Sequence, residues 1–235
     1  MPADDTPRAA GGAFFPHPYT AVDLVLFRVS GATLEVLVLR RATGEARGWA
    51  LPGAYVQIDE TVEETAARIF RDKLAVPPVP VFFPLRPFSD VDRDPRRRVI
   101  SLPQLSFLDA ADVEGELSDD LAWAQLSSLR PPQPYVGGDE VALAFDHRDI
   151  LGEAVETVRR QTRLDDPDLF RAVLSGEFTL RRLQQVHEAL SGERVNRDSF
   201  RRRILASDRI EDTGRREEDV EHRPARLFRW SDAAA

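Results

Sequence analysis

Apolar residues alternate with other types through residues 21–29 and again through 34–41, and a Ser-Gly pair stands between the two runs. A period of two interrupted by a turn signal predicts a β-hairpin. Residues 49–51 and 54–57 predict short extended pieces flanking the loop Leu51-Pro52-Gly53. A helix is predicted over 62–73, because Thr61 followed by Glu64 is a capping box that satisfies two otherwise orphaned N–H groups. The run VPPVPVFFPLRPF predicts loop and edge strand, since proline cannot donate to a ladder. A polar loop then leads into a strand over 99–108, and VALAFDHRDIL leads into a helix ending near Arg163.

The pattern changes after Asp166. Residues 167–174 predict a short helix, closed by Ser-Gly. In FTLRRLQQVHEALSG, Thr179 is placed to cap a helix whose stripe is Leu180, Leu183, Val186, His187 and Leu190. The turn Ser191-Gly192-Glu193 delivers Asn196, a second N-cap, to a helix over 197–206. On it Phe200 and Ile204 point inward, with Asp198, Arg201, Arg202 and Leu205 opposite. Two strands around a polar turn finish the chain. Three helices followed by a hairpin predict a winged helix-turn-helix over 166–232, after a connecting helix over 151–165.

Composition narrows the chemistry. The chain of 235 residues has no cysteine, which excludes disulfides and thiolate metal sites. His17, His147, His187 and His222 show no ligand spacing, and His147 and His187 read as structural. No apolar run reaches membrane-spanning length, and the first residues lack a signal-peptide core, so the expected location is cytoplasmic, with a short disordered lead-in and no membrane partner. The net charge is −8, all of it in residues 1–165; from Asp166 onward 14 arginines balance 14 acids. Within that neutral part, residues 196–209 hold five arginines against two aspartates. Local fields of this kind decide a phosphate contact, because salt screens the remainder.

The stretch WALPGAYVQIDETVEETAARIFRDKLAV, residues 49–76, resembles a Nudix box. Leu51, Pro52, Gly53, Val56, Glu60, Glu63, Glu64, Ala66 and Arg68 match the family pattern, and AWAQLSSL resembles its late Trp-bearing strand. The resemblance implies a Nudix-type α/β/α sandwich (α/β, or α+β) over residues 15–150. Nudix hydrolysis uses Mg²⁺ held by carboxylates after the arginine, as a hard cation requires. Here those positions are Ile69, Asp72 and Lys73, which a continuous helix would place on one face. No catalytic residue and no metal ligand set is therefore assigned; Arg68 and Asp72 are expected to form an i,i+4 pair. Lys73 is the one lysine among 32 basic residues. Its ammonium could replace a metal's charge, or it could record drift at a dead site.

Arginine is the best reader of guanine edges and phosphates, and a recognition helix enters the groove by its first turns. Arg197, Arg201 and Arg202 are the expected DNA contacts, with Arg181 and Arg182 suited to backbone phosphates, the caps Thr179 and Asn196 as further DNA-binding candidates, and Arg215 and Arg216 at the wing tip. Together with WALPGAYV, DRDPRRRVIS, LAFDH, FTLRRLQQVHEALSGERVNRDSFRRRIL and RPARLFRW, these halves resemble the NrtR-like Nudix-related transcriptional regulators. That resemblance implies a homodimeric repressor of NAD metabolism genes, bound to double-stranded operator DNA and released by ADP-ribose or an NAD-related nucleotide, with no cofactor required. Candidate ligand contacts are Arg40, Arg41, Trp49, Glu60, Arg68, Asp72, Lys73, Asp92 and Arg93. The competing expectation is an active Nudix pyrophosphohydrolase on ADP-ribose-like substrates, which would need Mg²⁺.

Overall fold

The computed structural model describes residues 17–41, 48–74, 79, 81–108, 117–127, 131–163, 167–218 and 223–231; the lead-in expected before residue 17 lies outside them. Strands β1 (Tyr19–Ser30) and β2 (Thr33–Arg41) form the expected hairpin. Its two-residue loop places Gly31 at φ 59°, a conformation that suits the strand twist and that glycine adopts without strain. The burial of β1 is continuous rather than alternating. Val25, Phe27 and Val29 enter one apolar cluster, and Val22, Leu24 and Leu26 enter another on the opposite face. A strand covered on both sides must be apolar on both.

β1 also changes partners along its length. Residues Ala21 to Asp23 pair with β4 (Gly53–Tyr55), while Phe27 to Ser30 pair with β2. β3 (Gly48–Ala50) pairs with β2. The strand expected over 99–108 is two strands, β6 (Val99–Ser101) and β7 (Gln104–Phe107), both parallel to β1. Pro103, with no N–H to donate, stands at the break. β5 (Phe83–Pro84) is the sheet edge that the proline run predicts. β8 (Leu121–Leu126) lies antiparallel to β2. At the other edge β9 (Pro134–Val136) and β10 (Asp139–Glu140) form a small hairpin through Gly137 and Gly138, an element the sequence pattern was too short to signal.

The box helix α1 (Val62–Ile69) starts at the Thr61 capping box. Beyond Ile69 the chain continues as a π-helical turn, Phe70–Leu74. Bonding from i to i+5 widens that turn and alters the angular relation of its residues to those before it. α2 (His147–Arg163) begins four residues ahead of position 151, so a line drawn between 150 and 151 falls inside its first turn.

α3 (Pro167–Val173), α4 (Leu180–Ser191), α5 (Arg197–Leu205), β11 (Ile210–Arg216) and β12 (Arg226–Trp230) make the winged helix. Thr179 and Asn196 cap α4 and α5 through their side-chain oxygens, and Gly192 closes α4 at φ 73°. Leu169, Leu183, Val186, Leu190, Phe200 and Phe228 belong to the same apolar cluster as Ile150, Leu151 and Val158 of α2 and Phe27 and Val36 of the sheet. The two halves therefore share one continuous core. Among the described residues, no helix is long and apolar enough to cross a membrane.

Candidate ligand cleft and nucleic-acid interface

A cleft of about 310 Å³ opens where β1 changes partners. Its floor carries Asp23, buried, whose Oδ2 accepts 2.6 Å from Ser101 Oγ and 3.4 Å from Arg93 Nη2. Arg93 also clamps Asp146 with two bonds of 2.7 Å. Burial is the largest influence and works against the Arg93 charge, but the hydrogen bonds and charges of Asp146 and Asp23 together outweigh it, holding its pKa above the ordinary value. His147 accepts from Leu51 N–H through Nδ1 at 2.9 Å and faces Asp23 Oδ1 through Nε2 at 3.6 Å, beyond hydrogen-bond length. Burial lowers the His147 pKa, so the ring is held neutral.

Gly53 meets this floor directly. A Cβ there would overlap Asp23 Oδ1 and crowd Val22 O at 2.9 Å, so the loop glycine is required by close approach. Phe145, which also lines the cleft, sits at φ 57°, a conformation that costs a side-chain-bearing residue of order 1–3 kcal/mol. The guanidiniums of Arg41 and Arg96 each lie 5.1 Å from its ring.

Of the nine ligand candidates, Arg41, Arg68, Lys73 and Arg93 line the cleft. Arg40 is exposed on the other face of β2, where it lies 6.0 Å over Trp49, and Trp49 packs on the first apolar cluster. Asp92 is in an exposed turn outside the lining. Arg68 pairs with Glu60, not with Asp72: Nε donates to Oε1 at 2.6 Å and Nη2 to Oε2 at 2.7 Å. That bonding pulls Glu60 from 4.5 to about 2. Asp72 instead pairs with Arg71 in solvent. Asp23, Tyr55, Asp94, Arg96, Phe145 and His147 also line the cleft and were not expected as ligand contacts, although Asp94, Arg96, Phe145 and His147 stand in the DRDPRRRVIS and LAFDH segments.

The three box positions do not share a face as expected. Ile69 is wholly buried in the second apolar cluster, Asp72 points to solvent, and Lys73 reaches back to donate to the Gly53 carbonyl. The π turn after Ile69 separates them. Among the described residues, no group of three or more His, Asp or Glu side chains could hold a metal ion. The residues at these positions do not fit a Mg²⁺ cage.

A second concavity of about 740 Å³ lies between α4, α5 and the wing. Arg181, Arg197, Arg201, Arg216, Arg223 and Arg226 line it, with Glu188 the acid among them. Glu188 is turned to Gln184 and the Val195 N–H. Thr179 also lines it, while Asn196 spends its side chain on capping and Arg202 is exposed outside it. Two expected DNA contacts are engaged elsewhere. Arg182 donates to Val29 O and Gly31 O on the sheet hairpin, and Arg215 pairs with Glu177 at 3.2 Å. Arg223 and Arg226 were not anticipated as contacts; their position just before and within the last strand brings them to the groove.

A NUDIX domain model matches residues 17–160, and a model of the NrtR DNA-binding winged helix domain matches residues 171–230. The chain is 25% identical over 222 residues to the ADPR responsive transcriptional repressor NtrR of Acinetobacter baylyi, covering 92% of this chain and 84% of that protein. It is 32% identical over 136 residues to an ADP-ribose pyrophosphatase of Methanocaldococcus jannaschii, covering 57% of this chain and 72% of the relative. Shewanella oneidensis NrtR complexed with a 27mer DNA superposes with a TM-score of 0.69 at 27% identity, over 90% of this chain and 93% of that one.

Proposed function

Because the chain belongs to the Nudix family, among the NrtR-like regulators that join a Nudix domain to a winged helix, we propose that it is a transcriptional repressor released by ADP-ribose or a related nucleotide. The observation that carries this reading is the pairing, on one continuous core, of a cation-lined cleft without a metal cage and an arginine-lined winged-helix groove. The groove supplies the positive field that phosphates require, and α5 offers Arg197 and Arg201 from its exposed side. The protein acts in the cytoplasm as a homodimer, placing two such helices on a palindromic operator that controls NAD metabolism genes.

Nucleotide in the cleft shifts the balance between DNA-competent and released arrangements only by its differential affinity for the two. β2 is the element that joins the sites. It bears Leu39 and Arg41 at the cleft and begins at the hairpin turn that Arg182 grips. The test is fluorescence anisotropy with duplex DNA from the promoters neighbouring the gene, at low salt, with and without ADP-ribose. Retention of one promoter fragment, weakened by salt and by ADP-ribose, is the expected result. Failure to retain any fragment at low salt rejects the repressor.

A further inference from the structure

Four of the five cations that line the cleft differ in how they are compensated. Arg68 is neutralised by Glu60, Arg93 by Asp146 and Asp23, and Arg96 is bonded twice by Asp94. Lys73 stands apart. Its ammonium donates to a neutral carbonyl, Gly53 O, and no carboxylate among the described residues forms an ion pair with it. The residue as a whole is exposed at the rim, yet its charged end is partly withdrawn from water and lies near Arg41 and Arg68. Burial first, and those two guanidiniums next, lower its pKa, and the charges of Asp23 and Asp72 offset only part of this. An under-compensated positive charge at the mouth of a concave site is what an incoming anion relieves.

The π turn explains the placement. It turns Asp72 to solvent and carries Lys73 to the edge of β4, in the cleft it lines with Arg41, Arg96 and the Phe145 ring that both guanidiniums approach. Asp23, the remaining acid of the floor, is already bonded to Ser101 and Arg93. Resting on the proposed effector class, we infer that Lys73, with Arg41 and Arg96, forms a diphosphate-binding site that works without a divalent ion, the ammonium standing where a metal-dependent cleft would need a cation. A diphosphate diester brings two negative charges, and charge-assisted bonds from ammonium and guanidinium hold it directly.

The experiment is isothermal titration of the full chain with inorganic pyrophosphate and, separately, with ADP-ribose, each in EDTA and in Mg²⁺. The wild-type chain is expected to bind both ligands in EDTA within about threefold of its Mg²⁺ affinity, and Lys73→Met to weaken both by about tenfold or more. Wild-type pyrophosphate binding that disappears in EDTA overturns the inference without reference to any variant. So does a folded Lys73→Met protein that binds as tightly as the wild type. Pyrophosphate held in EDTA and lost on Lys73→Met, with no ADP-ribose binding in either buffer, supports the Lys73 site and rejects ADP-ribose as the effector.

Discussion

The guanidinium of Arg182, on the second helix of the winged domain, donates a 2.8 Å hydrogen bond to the backbone oxygen of Val29, 153 residues earlier in the chain. A second bond of 3.3 Å reaches Gly31 O in the adjoining turn. Arginine is suited to this role because its planar fork presents several donors in fixed geometry. The contact fastens the DNA-binding half to the hairpin whose second strand borders the cleft.

Arg182→Ala removes both bonds and leaves two carbonyls to find water. The expected loss is about 1–2 kcal/mol of stability, since bonds to a charged donor exceed the neutral average. Nucleotide affinity measured by calorimetry should stay at the wild-type level. The effect of nucleotide on operator binding should shrink, and an undiminished effect would show that coupling runs through other contacts.

Gly53→Ala places a methyl group against Asp23 Oδ1 and Val22 O, a backbone atom that cannot swing away. Overpacking of this kind costs about 1–3 kcal/mol. Chemical denaturation should register that loss, and nucleotide binding should weaken with it because the floor of the cleft must shift. A midpoint equal to wild type would mean that Asp23 has room to move.

The groove and its surroundings separate two kinds of arginine. Arg201 lines the concavity, whereas Arg215 is engaged with Glu177. Arg201→Ala should reduce operator affinity by about 1–3 kcal/mol, and Arg215→Ala by less than about 0.5 kcal/mol. Anisotropy titrations over a range of salt check both, and equal effects would reassign the interface.

His147 predicts a pH dependence. Burial lowers its pKa below 6.5, so the unfolded chain binds a proton more readily than the folded one. Stability is then level above that value and declines as pH falls below it. Glu60 acts in a separate window: its pKa is lowered from 4.5 to about 2, so the stability it contributes is present above 4.5 and lost on further acidification. Urea midpoints compared at about pH 7.5 and about pH 5 therefore bracket the histidine's window and stay above that of Glu60. His147→Gln, which keeps an acceptor for the Leu51 N–H, should flatten the decline.

Much of the architecture was legible in the order of residues. The hairpin, the Thr61 capping box and the caps at Thr179 and Asn196 all rest on interactions within a few residues, and the structure bears them out. The inward placement of Phe200 follows from helical spacing alone. The small hairpin through Gly137 and Gly138 escaped because strands of three and two residues are too short to display a period. The break at Pro103 escaped because the apolar residues on both sides of it read as one run, although proline cannot donate to a ladder.

The amino-acid order by itself determined the two-part plan and the loss of carboxylates at Ile69 and Lys73, since chemistry absent from the chain cannot be restored by folding. Tertiary structure alone decided where the surviving charges point. Arg182 turns to a hairpin, Arg68 to Glu60, Arg93 to Asp146 and Asp23, and Lys73 to the Gly53 carbonyl. A long charged side chain can reach many partners, and desolvation together with the positions of remote carboxylates and carbonyls selects among them. Those positions are set by strands and helices far away in the chain, so no local pattern announces them.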